Sequence, residues 1–418
     1  MPPTTPDVPP PPRRLIPLLA LACGVGVANV YFPQAISPLI AADLHVSPGS
    51  GALVVTATQF GYAAGIFLLV PLGDRLPHRR LIVTLLVLTG LGLLAAGVAP
   101  GLPVLLAASV ALGMTTVVPQ VIIPMAVGLV PRGRGGAVTG TMLSGLLGGI
   151  LLARTFSGTV GGWFGWRAPY LLAAVLVLPL ATALAVTIPA RTAASRSRQS
   201  YPALLAGAVR LMRAEPELRR SCAYQATLLA GFSAAWTSLA LIIDGPTYGY
   251  GAQVVGLIAL AGAASILGTP YAGRVVDRRG PDLVNLISML IGVASGPVLV
   301  LGVLGGPVGL AALVVGLLLL DLAVQCGQVA NQARIFALNP EARSRLNTAY
   351  MTCAFLGGSA GSWVGVRAYT SLRWPGVCAL VALTSGLALA RHLTHLVRGR
   401  SRRAAETYDR RTCDAKAG

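Results

Sequence analysis

The chain has 418 residues, 55% of them hydrophobic and only 11% charged, with a mean hydropathy of +0.73. Soluble globular domains carry about 25% charged residues, so this composition excludes an ordinary water-soluble fold and implies a multi-pass membrane protein. The formal net charge of +19 would fit a nucleic-acid binder, but the basic residues are nearly all arginines in short gaps between apolar runs, a topology signal and not a binding face.

Residues 1–12 (MPPTTPDVPPPP) form a proline-rich segment expected to be extended and disordered. Arg13 and Arg14 then precede the first apolar run. The LALAC stretch ending at Cys23 loosely mimics a lipoprotein cleavage box, but the run continues past it and many more follow. Runs of about 18 residues or more are long enough to cross roughly 30 Å of hydrocarbon as helices. Unbroken apolarity favours helices over the alternating pattern of a barrel strand.

Twelve spans are expected, at 15–41, 51–73, 81–99, 103–130, 136–160, 169–188, 221–243, 253–275, 283–304, 307–333, 348–368 and 375–395. The gaps support the count. Even-numbered gaps carry Arg75, Arg79 and Arg80, then Arg132 and Arg134, a set from Arg191 to Arg220, Arg278 and Arg279, and Arg343 and Arg345. Odd-numbered gaps carry Arg167, Arg367 and Arg373 and little else basic, so both termini are expected in the cytoplasm.

The fold class that follows is an all-α polytopic membrane protein. An N-terminal six-helix bundle at 13–188 is joined by a cytoplasmic linker at 189–220 to a C-terminal bundle at 221–397. A basic tail at 398–418 is read as a topology determinant touching anionic lipid. Part of the linker is expected to form an amphipathic helix on the membrane surface.

The two halves echo each other. PLGDRLPHRR (71–80) follows the second span and AGRVVDRRGP (272–281) follows the eighth. RGRGGAVTGTMLSGLLGG (132–149) pairs with RSRLNTAYMTCAFLGGSAG (343–361). GxxxG spacings at Gly145/Gly149 and Gly357/Gly361/Gly365 should pack spans 5 and 11 tightly on their neighbours.

On these stretches the sequence resembles the major facilitator superfamily over nearly the whole chain after the proline segment. The family signature between spans 2 and 3 is met by Leu72, Asp74, Arg75, Arg79 and Arg80, with Val70 and Pro77 standing where glycines are usual. The second copy keeps Gly273, Asp277, Arg278 and Gly280. YFPQAISPLIAADLHVSP, SGLLGGILLARTFSG, FGWR and SRLNTAYMTCAFLGG look like the twelve-span bacterial sugar-efflux and drug-efflux permeases. The arginine common in span 4 of drug/proton antiporters is Ser109 here, so a mechanism resting on it does not carry over.

The resemblance implies two bundles that rock about a central cavity lined by spans 1, 4, 7 and 10. Polar residues gather on those spans: Asn29, Tyr31 and Gln34; Thr116 and Gln120; Gln225 and Trp236; and a stripe of Asp321, Gln325, Gln328 and Gln332 on one helical face. These are the candidate cavity residues, with Gln34 beside Pro33 and Gln120 beside Pro124 marking opened backbone. Asp321 is the one acid in mid-span, about 14 residues or roughly 21 Å into span 10. A carboxylate there costs several kcal/mol unless neutral, paired or wetted, which makes Asp321 the candidate proton carrier. Arg154, the other charge at depth, could pair with it, hold an anionic substrate or snorkel outward.

Asp74, Arg75, Arg79, Asp277, Arg278, Arg345 and Asn347 are the expected inner gate, Asp74 lying against the start of span 11. No catalytic residue, metal or cofactor is expected: the six cysteines are scattered without CxxC, His392 and His395 lack an apparent acid nearby, and Lys416 is the lone lysine, too late for a phosphate loop. The expected protein is a proton-coupled exporter of a small organic molecule in a bacterial inner membrane. It is monomeric, contacts lipids and binds no nucleic acid. An uptake symporter, or more remotely a membrane enzyme or receptor, is the alternative.

Overall fold

A computed structural model describes residues 14–130, 135–189, 199–339 and 342–417. The proline-rich segment at 1–12, Arg132 and Arg134, and the middle of the linker at 190–198 lie outside these residues, as do the side chains of the tail beyond 398. Helix satisfies every backbone polar group within its own segment, the requirement hydrocarbon imposes, and all the described regular structure is helical.

Among the described residues, ten helices are long and apolar enough to cross a membrane. One of them, Arg343–Arg398, is two spans joined where Arg373 takes φ 56, just before Pro375. Span 8 adds the twelfth crossing in three pieces, Ala252–Ala261, a 3-10 stretch at Gly262–Leu267, and Gly268–Arg279. The protein is therefore a twelve-span membrane protein made of two six-helix bundles. Spans 1 and 4 are also broken, into Leu15–Ala28 and Phe32–Asp43, and into Leu102–Thr115 and Val118–Gly128.

Proline accounts for these last two breaks. Pro33 and Pro119 lack an amide N–H and would clash with the carbonyl four residues back, so the helix opens over 29–31 and at 116–117. The span 4 break thus falls at Pro119; Pro124, flagged from the sequence, stays inside the helix Val118–Gly128.

Within each half, glycines set the closest approaches, as the GxxxG spacing predicts. A Cβ at Gly145 or Gly149 of span 5 would fall onto the backbone of Ala20 or Gly24 of span 1. In the second half, Gly357 and Gly361 of span 11 meet Ala226 and Ala230 of span 7 in the same way, and Gly365 meets Ala234. The repeat seen in sequence is thus a repeat of packing.

Between the halves, span 2 lies along span 11 and span 5 along span 8. The 5–8 contact is concentrated at the end bearing the 245–251 turn, the far end. There Gly158 abuts Ala252 and the Thr155 hydroxyl donates to the Gly256 carbonyl at 2.8 Å. At the opposite, arginine-rich end, the linker residues Tyr201–Ala214 form an amphipathic helix. The Tyr201 hydroxyl donates to the Leu68 carbonyl at 2.6 Å and Gly207 packs near Arg345, so this helix touches both halves.

Candidate functional site

The breaks in spans 1 and 4 face one another. Thr116 donates its hydroxyl to the freed Gly26 carbonyl at 3.0 Å, and the Asn29 amide reaches both Gly26 O at 3.3 Å and Thr116 Oγ1 at 3.4 Å. Pro119 fits against Gly26, where a Cβ would stand 3.5 Å from Cδ. Two kinks made by local sequence thus stitch together and carry Tyr31 and Gln34 toward the seam between the halves.

Arg154 reaches the seam from span 5 and is 4% exposed. Its Nε donates to Gln34 Oε1 at 2.6 Å. Its guanidinium carbon lies 4.1 Å from the Trp236 ring centroid, 4.8 Å from that of Tyr31 and 5.7 Å from that of Phe232. Trp236 and Phe232 belong to span 7, so an arginine of one half is held against aromatic faces of the other. Cation–π contacts of this kind are worth about 2 kcal/mol or more when desolvated. Among the described residues, one terminal nitrogen of Arg154 finds no hydrogen-bond partner. The arginine does not snorkel, and its direct pairing with Asp321, left open by the sequence, is not made; it engages Gln34 and the rings instead.

Asp321 is 7% exposed. It sits against the break in span 8, where a Cβ at Gly262 would come within 2.9 Å of its Oδ2. It lies within electrostatic reach of Arg154 across the seam, and the two charges form no ion pair. One turn on, the Gln325 amide donates to Ser265 Oγ at 2.8 Å, and that hydroxyl donates to the Gly262 carbonyl at 2.8 Å. The 3-10 stretch of span 8 is thereby fastened to the polar stripe of span 10. Exposure rises along the stripe, from buried Asp321 to half-buried Gln325, Gln328 and Gln332. Gln225 is deeper; it is 1% exposed and packs near Gly327, with both amide atoms unpartnered among the described residues.

Toward the arginine-rich end, amides bridge the halves in a chain. The Asn347 amide donates to Gln120 at 3.5 Å, Gln332 donates to Asn347 at 3.5 Å, and Gln120 donates to the Tyr62 hydroxyl at 3.4 Å. Asn347, expected beside Asp74, thus pairs with cavity residues. Asp74 itself is half-buried at the end of the 3-10 stretch Val70–Asp74, within electrostatic reach of Arg345 and His78. Arg75 is exposed and Arg79 half-buried. Asp277 and Arg278 are exposed, and among the described residues the structure gives them no ion pair across the seam.

A charged cluster escaped the sequence reading. Arg220 lies 2.7 Å from Glu217 and 3.2 Å from Asp282; Arg334 lies 3.5 Å from Glu217 and binds Asp282. His392, set aside for want of an acid, is buried here. Its Nε2–H donates to the Asp282 carbonyl at 3.0 Å, which leaves Nδ1 to accept from the Tyr224 hydroxyl at 3.2 Å. The cluster ties spans 7, 9, 10 and 12 together. Glu217 and Arg220, one helical turn apart, were the visible cue. At the far end, Arg167, an exception to the charge alternation, pairs with Asp43, which also accepts from Trp166 Nε1 at 2.9 Å.

Comparison with known proteins agrees with this architecture. Residues 18–362 match the Major Facilitator Superfamily, and the chain belongs to that family. The transporter YgaY of Escherichia coli O157:H7 is 37% identical over 364 residues, 87% of this chain and 91% of its own length. A chloramphenicol resistance protein of Streptomyces lividans is 28% identical over 289 residues, 68% of this chain and 70% of that one. Among solved structures, the nucleoside transporter NupG superposes with a TM-score of 0.70 at 13% identity, over 92% of this chain and 98% of its own. A bacterial homologue of the human lysosomal transporter Spinster, inward-facing and occupied, gives 0.66 at 13% identity, over 92% and 94%. The protein is a multi-pass membrane transporter of this superfamily and not an enzyme.

Proposed function

We propose that the protein exports a small amphipathic organic molecule in exchange for protons, with Asp321 taking up and releasing the coupling proton. The observation that carries this reading is the placement of Asp321. It is a nearly buried carboxyl on span 10, against broken helix, with the Arg154 cation of the other half close enough to act on it but not bonded to it. Ionised, the carboxylate draws the two halves together at the centre; protonated, it lets go. A group whose charge biases two arrangements differently is what coupling requires.

Tyr31, Gln34, Thr116, Gln120, Trp236 and Gln325 supply rings, amides and a hydroxyl around this point, suited to a cargo with an apolar body and a few polar groups. The export direction draws on the chloramphenicol-resistance relative. The arginine distribution supports a topology with both termini cytoplasmic, and the bacterial relatives support a bacterial inner-membrane setting. Asp74 with Arg345 serves as a latch at the arginine-rich end.

The test is efflux from vesicles after an imposed pH step. Asp321→Asn should abolish pH-driven efflux while retaining downhill exchange of substrate. Undiminished pH-driven efflux would remove Asp321 from the coupling step. Protons moving in the same direction as the substrate would make the protein a symporter.

A further inference from the structure

The second copy of the repeat motif, idle at the seam, borders a pocket of its own. A cavity of about 320 Å³ lies between the arginine-rich ends of spans 8 and 9. Arg274, Arg278 and Arg279 line one side of it, and Leu283 and Ile287 the other, with Tyr271 among the lining residues. All three arginines are exposed, and among the described residues none makes an ion pair. Arg274 and Arg278 stand four apart on one helix, where like charges repel. An anion seated between them would relieve that repulsion.

The apolar wall specifies the anion further. Leu283 and Ile287 are one helical turn apart on span 9, and Ile287 is 45% exposed; Tyr271 is exposed as well. The turn between the spans passes through Gly280 at φ 80, a left-handed conformation that glycine adopts without strain and that lets the two helix ends sit close. Three guanidiniums at a helix end with an aliphatic strip running into the hydrocarbon match a phosphate that carries acyl chains. A soluble anion would leave the strip unused. The basic C-terminal tail has the wrong charge.

We infer that this pocket binds an anionic phospholipid, its phosphate held by Arg274, Arg278 and Arg279 and one chain laid along Leu283 and Ile287. Such a lipid would rest on the Gly268–Arg279 segment of span 8, directly below the break that Asp321 faces.

The experiment uses full-length protein in nanodiscs, with Tyr271→Trp as a fluorescent reporter read as the difference from unsubstituted protein. Brominated phosphatidylglycerol should quench the reporter at roughly a hundredfold lower mole fraction than brominated phosphatidylcholine, the scale that three interfacial arginines supply. Arg274→Gln/Arg278→Gln/Arg279→Gln should merge the two curves. If that triple variant does not fold, Arg274→Gln and Arg279→Gln made singly should each narrow the gap. Equal quenching by the two lipids in the reporter protein overturns the inference, as does a preference that survives the substitutions. Release of the brominated lipid by inorganic phosphate alone would also overturn it, since the chain would then contribute nothing.

Discussion

The Asp–Arg pair after span 2 and the pair after span 8 share a sequence pattern but not surroundings. Asp74 is half-buried and faces Arg345 and His78, so the first copy looks across the seam at the other half. Asp277 is exposed, and the acid that matters in its neighbourhood is Asp282, five residues on, which holds Arg220 and Arg334 inside the second half. One half directs its charge across the seam to the other half; the other turns it inward as a brace for spans 7, 9, 10 and 12. A repeated motif therefore does not imply a repeated role, because the role depends on which charges the neighbouring spans bring within reach.

The largest expected effect tests the brace. Asp282→Ala strips two guanidiniums whose side chains are only 9% and 6% exposed. The loss should be about 2–4 kcal/mol, less than for a fully buried pair because Asp282 is 44% exposed and Glu217 still faces both arginines. Asp277→Ala should stay within about 0.5 kcal/mol. Thermal unfolding of the purified protein in detergent reads both, and equal losses would erase the distinction.

The glycine seams should behave oppositely to the charges, with the halves equivalent. Gly149→Ala and Gly361→Ala each push a methyl into facing backbone and should cost about 1–3 kcal/mol apiece. Gly148→Ala meets open space and should be neutral or stabilising by up to about 1 kcal/mol, since alanine favours helix. The same melting assay ranks them. A strong loss at one seam and none at the other would break the packing symmetry.

This division between packing and charge also marks what the sequence could reveal. Span positions are unbroken apolar runs, and the glycine spacings and the Asp321–Gln332 face are patterns of period four or 3.6, all legible from one segment at a time. The opening of span 8 at Gly262 was not read, because no proline lies within Gly262–Leu267 to announce it; only the small-residue run and Pro270 just beyond hinted at it. Arg154 stands out in the sequence as a charge at depth that could pair, bind an anion or snorkel, but its partners come from spans 1 and 7, and a depth estimate along one helix carries no information about rotation toward them. The Arg220–Asp282–Arg334–His392 brace joins residues up to 392 − 220 = 172 positions apart. The linker expected at 189–220 takes in Arg220, yet the helix already begins at Pro216.

The smallest effect bears most directly on the seam. Asp74 acts on span 11 through space and not through a bonded ion pair, so neutralising it should disturb a balance without unfolding the protein. Charges at a helix start are worth about 0.3–1 kcal/mol, which shifts a two-state equilibrium roughly two- to fivefold. With a cysteine placed at Gln328, half-buried on the stripe, Asp74→Asn should raise the alkylation rate by that factor if the carboxylate helps hold the arginine-rich end together. Asp277→Asn, exposed and unpaired in this arrangement, should leave the rate unchanged. If Asp277→Asn raises it equally, the second copy latches too, and the asymmetry belongs to this one conformation; if neither moves it, the amide chain through Gln120, Asn347 and Gln332 carries the closure alone.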